Sequence, residues 1–558
     1  MVLLLAAALR FYGLDWDGGL GAHPDERYIV GVAEGLRWPD RVNPLEVAPD
    51  LAYGHLLPYL LAGAMGLVPR ADPLLVGRAL AAAFDLGTVA LTFGLGKRVY
   101  GERVGLLAAA LVALMVIHVQ QAHFCTADAP LAFFVLGTLL FATLLADHGR
   151  LHHALLVGAW AGLALGFKFS AALLVLPLGA ACAVLPGGRW QRLKRGLAIG
   201  GAALLAFALT NPFALIGFPV FWRNLAGQAA LVRGVLDAPY TRQFHGTWPY
   251  VYPVVQQLRW GMGWPLGLVA FGGLAYAVWR AVREPPRPAE WAVLAWAVPF
   301  FAFTGALYAK FPRYLLPLTP VLAIYGAQML LCASPLRGLR DRLWARRVLA
   351  VGKPPACRGG AQPSQGWGTA LITLCLIYSF LWSLAFASLY RAPHPWLAAS
   401  EWFTDHAPPG AVVAVEQWDH PLPLDGTGYD VRELPVFDED TPEKWVTMNE
   451  ILAEADFVVI ASRRGYATLA RWLARYPLTA RYYRLLFEGE LGFEPVACFG
   501  RFVGLGPVAV ADDPAVGLNL LLPERCRPDA PFVLRVGRLD ESFVVYDHPQ
   551  VVILRRRQ

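Results

Sequence analysis

Charge is the scarcest property of this sequence. Only 16% of the 558 residues are Asp, Glu, Lys or Arg, whereas 56% are hydrophobic and the mean hydropathy is +0.45. Soluble globular proteins carry about 25% charged residues, so the composition argues against that class and predicts an integral membrane protein. The net charge of +7 does not indicate a nucleic-acid partner, because Lys and Arg gather in short clusters between apolar runs.

The common catalytic and metal motifs are also missing. The sequence contains no CxxC, HExxH, P-loop or GxSxG pattern, so zincin, ATP-driven and serine-hydrolase chemistry have no support. It has no internal repeat of the kind that many transporters carry. Of the seven cysteines, Cys498 and Cys526 follow residue 390, and the sequence leaves their pairing open.

Long apolar runs predict a polytopic α-helical membrane protein with about eleven transmembrane helices, since a span needs roughly 17 to 25 residues. The runs are 1–13, 74–96, 104–120, 129–146, 154–168, 170–186, 196–217, 260–281, 291–309, 314–332 and 368–389. The first run is short for a span. We expect it to be a clipped helix or to start upstream, because signal-peptide features do not accompany it.

Basic clusters between the runs predict the orientation. Four loops that fall on one side under strict alternation carry most of the positive charge, and the positive-inside rule assigns that side to the cytoplasm. The clusters are Lys97, Arg98 and Arg103; Arg189, Arg192, Lys194 and Arg195; Arg280, Arg283 and Arg287; Arg337, Arg340, Arg342, Arg346 and Arg347. The outer face then receives the loop 14–73, in which the apolar segment 51–68 reads as a helix along the membrane interface.

After residue 390 the hydropathy falls and period-two runs appear. Runs at 412–416, 457–461, 543–546 and 551–554 predict strands, and 465–476 has helical spacing. We therefore divide the chain into a transmembrane domain, 1–390, and a soluble α/β domain, 391–558, on the extracytoplasmic side.

Two adjacent carboxylates, Asp25 and Glu26, follow the first apolar run within the segment HPDE. Ionisable groups beside hydrocarbon are costly and usually line a water-filled cavity in which they act on a ligand. A solvated pair of loop acids is the plainer interpretation. Asp128, before the run 129–146, lies on the same predicted face, where a helix-capping role is an equal alternative to membership of an acidic cluster.

Five motifs in sequence order resemble the GT-C fold glycosyltransferases, specifically the protein O-mannosyltransferase and aminoarabinose-transferase group. They are HPDERY (23–28), GRALAAAFDLGTVALTFGLGKRVYG (77–101), HFCTADAPLAFF (123–134), GLALGFKFSAAL (162–173) and KFPRYLLPLTP (310–320). The segments WDHPLPL (418–424) and DESFVVYDHPQVVI (540–553) are similar to the C-terminal region of bacterial members. The resemblance implies a polyprenyl-phosphate sugar donor and an inverting transfer.

The resemblance also implies roles for individual residues. Asp25 occupies the place of the family's general base, which would contribute about 10²- to 10⁴-fold. Glu26 would orient the acceptor or a cation and raise the proton affinity of Asp25. Asp25 and Asp128 would be the ligands of a divalent cation, Mg²⁺ or Mn²⁺, if one is needed, although two carboxylates are too few to establish a metal site.

Cations near the outer ends of the predicted helices are candidates for binding the donor phosphate. They are Arg78, Lys168 and Arg313, and a role as snorkelling anchors is the alternative for each. Tyr53 and His55 extend this set, although AYGHLLPY departs from the lysine-containing stretch of the aminoarabinose transferases. Interfacial packing is an equal alternative for His55.

Together these features predict a glycosyltransferase of the bacterial plasma membrane and cell envelope. It would transfer a sugar from a polyprenyl-phosphate donor to a protein, lipid or saccharide on the extracytoplasmic face. Two other classes stay open, a transporter or flippase of lipid-linked saccharide and a non-catalytic saccharide-binding protein. The polar groups gather at one predicted membrane face, which favours catalysis on a lipid headgroup.

Overall fold

The computed structural model describes residues 1–184, 188–332, 367–420, 422–424 and 428–558. The first part of the chain is helical. Its α-helices are Val2–Phe11, Pro24–Gly35, Pro44–Val47, Leu56–Leu67, Pro73–Tyr100, Glu102–Ala113, Val116–Ala122, Asp128–His148, Leu151–Phe167, Val175–Val184, Arg189–Thr210, Pro212–Ile216, Phe218–Val232, Val251–Gln256, Trp264–Arg283, Pro288–Ala306, Thr319–Cys332 and Trp367–Ala387. Short 3₁₀ turns at Phe169–Leu174, Pro239–Phe244, Pro312–Leu315 and Ser388–Arg391 connect several of them.

Every predicted apolar run coincides with a helix, but the helices differ in length. Within the described residues, six are long and apolar enough to cross a membrane, or seven if Glu102–Ala113 and Val116–Ala122, bent by 60°, form one span. The other four runs form shorter apolar helices. The protein is thus a multi-pass membrane protein, and the count of eleven spans stays a prediction. The basic cluster at 337–347 lies outside the described residues.

The C-terminal part contains helices and two sheets. Its α-helices are Pro395–His406, Pro442–Glu454, Arg464–Thr468, Pro477–Glu488 and Glu541–Val544. Its strands are β1 (Val412–Glu416), β2 (Asp430–Leu434), β3 (Phe457–Ile460), β4 (Phe493–Phe499), β5 (Val503–Leu505), β6 (Val508–Ala511), β7 (Phe532–Arg535) and β8 (Val551–Arg556). The boundary at residue 390 stays a prediction.

The larger sheet has the order β2-β1-β3-β8-β4, and the smaller has the order β5-β6-β7. Strands β2, β1 and β3 are parallel, whereas β8 runs antiparallel to both β3 and β4. The parallel strand β3 (FVVI) is buried along its whole length, which its continuous apolar sequence explains. Because β1 and β3 are parallel neighbours, their carboxyl ends lie side by side.

The predicted strand at 543–546 is wrong, because Glu541–Val544 forms a short helix. The side chain of Asp540 caps this helix by accepting a hydrogen bond from the backbone N–H of Ser542. Four successive apolar residues, Phe543 to Tyr546, are all buried. A short apolar run that is buried on all sides fits a helix as well as a strand, so its sequence does not distinguish the two.

Segment 538–548 is held by polar groups of the helical part. The Gln120 amide donates to the carbonyl of Ser542 at 3.0 Å and to the carboxylate of Asp547 at 3.1 Å. The Tyr252 hydroxyl donates to the Asp540 carboxylate at 2.7 Å. These buried hydrogen bonds fix the C-terminal part against the helical part.

Cys498 and Cys526 form a disulfide, which answers the pairing that the sequence left open. Their Cα atoms are 5.3 Å apart, and the bond joins β4 to the turn Glu524–Cys526.

Candidate active site

A cavity of about 960 Å³ lies between the loop 14–73 of the helical part and the C-terminal part. One wall contains Asp25, Tyr53, Arg313 and Tyr314 from the helical part. The opposite wall contains residues of the loops that follow β1 and β3, together with Tyr546. The cavity is at the upper end of the size that is usual for small-ligand sites.

Asp25 lies in the first turn of the helix Pro24–Gly35, whose start is favoured by Pro24 at its first position. Its carboxylate is 3.0 Å from the guanidinium of Arg313, and its side chain keeps 26% of its surface exposed to the cavity. Burial raises the pKa of Asp25, but Arg313, His23, Lys168 and a hydrogen bond from Tyr53 together hold it below its usual range. The predicted contribution of Glu26 to the proton affinity of Asp25 stays a prediction, and the net shift of this pKa is downward.

Arg313 joins the two predicted acidic residues. Its Nε lies 3.9 Å from Asp128, whose other carboxylate oxygen accepts a hydrogen bond from Lys168 at 2.7 Å. Asp25, Arg313, Asp128 and Lys168 thus form a chain of alternating charges. Asp128 does not cap its helix, because the N-cap residue is Ala127, without a side-chain cap.

Arg78 and Glu26, both predicted site residues, form hydrogen bonds with each other. Arg78 donates through Nε and Nη2 to Glu26 and through Nη1 and Nη2 to Asp17, and Nη1 also donates to the carbonyl of Leu14. These contacts use all five N–H donors of the guanidinium, which has none left for a phosphate. Glu26 is fully buried and also accepts from the backbone N–H of Cys125. We therefore remove both residues from the proposed ligand-contacting set.

Tyr53 and His55 lie in different surroundings. Tyr53 lines the cavity beside Asp25, and its role in binding the donor phosphate stays a prediction. The His55 imidazole is fully buried and does not line this cavity, and burial lowers its pKa to about 4. Neutral His55 has a ring–ring contact with Tyr59, with centroids 6.4 Å apart, which fits the packing role rather than phosphate binding.

His23 and Tyr546 connect the two walls. The His23 ring is fully buried between Phe124, at 4.7 Å, and Tyr546, at 4.2 Å between centroids. Burial lowers the pKa of His23 to about 3, so the neutral imidazole accepts a hydrogen bond from Arg313 at 3.4 Å. Tyr546 was not among the predicted site residues, although it lies in the segment DESFVVYDHPQVVI, whose resemblance to the C-terminal region of bacterial members was noted above.

Four more residues of the opposite wall were missed as site residues. They are Trp418, Asp419, His420 and Arg464. Three of them belong to WDHPLPL, whose concentration of polar and aromatic residues after a predicted strand was the available signal. Arg464 had no such signal in the sequence.

The predicted divalent cation does not fit this donor set. Asp25 and Asp128 already face Arg313 and Lys168, so positive charge occupies the space between the two carboxylates. Across the described residues, no group of three His, Cys, Asp or Glu side chains is arranged to hold a metal ion. Hard cations need more oxygen ligands than these two carboxylates offer.

The sequence and the fold were compared with known proteins. The family model for dolichyl-phosphate-mannose-protein mannosyltransferase matches residues 55–216, which is less than half of the chain. ArnT from Cupriavidus metallidurans bound to undecaprenyl phosphate superimposes with a TM-score of 0.51 and 18% identity, over 84% of this chain and 94% of ArnT. The protein has the GT-C fold. The fold and the resemblance to this group are as predicted.

Archaeal oligosaccharyltransferase AglB from Archaeoglobus fulgidus, in complex with an inhibitory peptide and a dolichol-phosphate, is another similar structure. It has a TM-score of 0.49 and 15% identity, over 86% of this chain and 72% of AglB. None of the curated proteins matches this GT-C chain in sequence.

Proposed function

We propose that this GT-C protein is a membrane glycosyltransferase that moves a sugar from a polyprenyl-phosphate donor to an acceptor on the extracytoplasmic face. The observation that carries the proposal is the contact between Asp25 and Arg313 on the wall of the large cavity. A base and an anion-binding cation stand side by side there, and glycosyl transfer from a phosphate needs both. The ligand in the structure of ArnT, undecaprenyl phosphate, supports the choice of donor class.

The transfer is one displacement at the anomeric carbon. The proton of the acceptor hydroxyl moves to the Asp25 carboxylate, and the acceptor oxygen forms the new bond to the anomeric carbon. The bond between that carbon and the phosphate oxygen breaks, and its electron pair leaves with the polyprenyl phosphate. The family resemblance implies inversion at this carbon.

The ion pair between Asp25 and Arg313 couples these events. As Asp25 takes up the proton it loses its charge, and Arg313 is then free to bind the departing phosphate through its planar fork of donors. Lys168, beside Asp128, adds a second positive charge behind Arg313. The negative charge thus passes from the carboxylate to the phosphate while the cations stay in place.

The test uses purified protein, a panel of undecaprenyl-phosphate sugars labelled in the sugar, and a cell-envelope extract as the source of acceptors. We expect the wild type to release undecaprenyl phosphate from at least one donor, and Asp25→Asn to lower the rate by about 10²- to 10⁴-fold. Asp40→Asn is the matched control, because Asp40 is exposed in the same loop and does not line the cavity. Normal turnover by Asp25→Asn removes the base, and release from none of the donors contradicts the function.

The proposed orientation has its own test. Single cysteines introduced at Asp40 and Arg103, both exposed, lie in loops that the basic clusters assign to opposite faces. A membrane-impermeant thiol reagent added to intact cells should label the first and spare the second. The reverse pattern would move the site to the cytoplasmic face.

A further inference from the structure

The parallel strands of the C-terminal sheet have a ligand-binding edge. Strand β2 lies on one side of β1, and the next strand in the chain, β3, lies on the other side of β1. In open α/β sheets, ligands bind outside the carboxyl ends of the strands at the point where the strand order reverses. Here that point lies between β1 and β3.

The loops at this point face the proposed catalytic cavity. The loop after β1 contributes Trp418, Asp419 and His420, and the connection after β3 leads to Arg464. All four line the cavity that also contains Asp25. The edge at which a sheet of this topology binds ligands therefore opens onto the proposed base.

The loop after β1 has a strained backbone. Trp418 and Leu422, neither of them glycine, have φ values of 61° and 62° and bracket Asp419 and His420. Non-glycine residues with such φ values are uncommon and concentrate at functional sites, where the surrounding structure maintains the strain. Arg464 helps to maintain it by donating a hydrogen bond to the Trp418 carbonyl at 2.8 Å.

The side chains on this wall combine an aromatic face with hydrogen-bonding groups. The Trp418 side chain is 55% exposed, although an indole is costly to leave in water. Asp419 and Arg464 place a carboxyl group and a guanidinium beside it, and burial raises the pKa of Asp419 above its usual range. A pyranose ring offers the complementary surface, with an apolar C–H face for the indole and hydroxyl groups for the carboxyl group and the guanidinium.

We propose that Trp418, Asp419 and Arg464 form the acceptor subsite and that the acceptor is a saccharide. This inference rests on the proposed function, in which Asp25 on the facing wall deprotonates the acceptor hydroxyl. Tyr546 lies between the two walls, within the electrostatic influence of both Arg313 and Arg464. The C-terminal part thereby selects the acceptor, and the helical part binds the donor phosphate.

The test measures saccharide binding separately from catalysis. Saturation-transfer difference NMR on the full-length protein in detergent, with the methyl pyranosides of mannose, galactose, glucose and N-acetylglucosamine as probes, should show binding of at least one glycoside. Trp418→Ala and Arg464→Gln should weaken that binding about tenfold, the usual effect of removing an anchor residue. Trp418→Phe should retain most of it.

Matched controls and a donor readout sharpen this result. Phe532→Ala and Arg481→Gln remove an exposed aromatic ring and an exposed guanidinium that do not line the cavity, and they should bind the glycosides as the wild type does. Binding of undecaprenyl phosphate should be the same in Trp418→Ala as in the wild type. Thermal unfolding of each variant separates lost binding from lost folding.

Three outcomes would overturn the inference. The first is that no glycoside binds, the second is that Trp418→Ala and Arg464→Gln bind as the wild type does, and the third is that only a Ser- or Thr-containing peptide binds at Trp418. Failure of the proposed function has a different signature. In that case glycosides bind and depend on Trp418, but wild-type protein releases undecaprenyl phosphate from none of the donors.

Discussion

The ring of Tyr546 lies 4.2 Å from the ring of His23. His23 precedes the acidic pair near the start of the chain, and Tyr546 lies close to its end. The contact joins the two parts of the chain beside the cavity, which Tyr546 lines. Residues that are more than 500 positions apart thus belong to one proposed active site.

Arg313 should be the most sensitive cation of the site. Arg313→Gln removes the partner of Asp25 and the proposed hydrogen-bond donor to the phosphate, so we expect kcat/KM to fall about 10²-fold or more. Inhibition by undecaprenyl phosphate should weaken in parallel. Arg313→Lys should recover only part of the loss, because a lysine cannot bind phosphate through two parallel hydrogen bonds. Unchanged inhibition would exclude Arg313 from the phosphate site.

Arg78 should affect stability rather than donor binding. Arg78→Gln removes the positive charge and the four hydrogen bonds that the guanidinium donates to buried Asp17 and Glu26. Breaking a buried ion pair costs about 3–5 kcal/mol, so Tm and the yield of folded protein should fall. The protein that does fold should keep its KM for the donor. A large increase in KM with an unchanged Tm would restore Arg78 to the phosphate site.

The pH dependence of turnover should reflect the lowered pKa of Asp25. A general base must be ionised, and Asp25 stays ionised until the pH falls through a value below its ordinary 3.8. The kcat/KM of the wild type should therefore show no acid limb between about pH 5 and 7. Arg313→Gln removes a charge that lowers this pKa, so an acid limb should appear at higher pH than in the wild type. The same limb in both proteins would contradict the coupling.

Glu416, at the end of β1, should make stability depend on pH. Burial raises its pKa to about 8, from an ordinary value of 4.5. Between these two values the folded state keeps a proton that the unfolded state has already released. The contribution of Glu416 to the free energy of unfolding is therefore complete below pH 4.5 and is lost as the pH rises towards 8. Each pH unit in this window costs about 1.4 kcal/mol.

Glu416→Gln provides the measurement for this effect. A neutral amide cannot ionise, so the variant should lose less stability than the wild type between pH 5 and pH 8, as measured by thermal unfolding. Glu433→Gln is the control, because Glu433 is exposed on the neighbouring strand β2. Equal pH dependence in Glu416→Gln and in the wild type would show that Glu416 is not buried in its protonated form.

Local features of the site were visible in the sequence. Asp25, Asp128, Lys168 and Arg313 are polar residues beside apolar runs, where a charge without a partner is costly, and the structure brings all four together. The same argument selected Arg78 because its isolated charge was equally conspicuous. It could not identify Asp17 as a partner, since pairing across 61 residues depends on the tertiary fold.

The residues of the C-terminal wall of the cavity could not be predicted from local sequence patterns. WDHPLPL marked a loop, but only the strand order shows that this loop and Arg464 lie at one edge of a sheet. The short helix at Glu541–Val544 depends in the same way on the groups around it. Trp418 and Tyr546 became site residues only when the two walls were assembled.

The hydrogen bonds that hold segment 538–548 limit how far the chain is modular. If the C-terminal part were removed, Gln120 and Tyr252 would lose these hydrogen bonds, and the rings of Trp260 and Phe386, which pack against Phe543, would be exposed to water. A chain cut at residue 390 should therefore be poorly folded rather than merely inactive. Exchange of C-terminal parts between relatives would succeed only when this segment and the helix ends that hold it are transferred together.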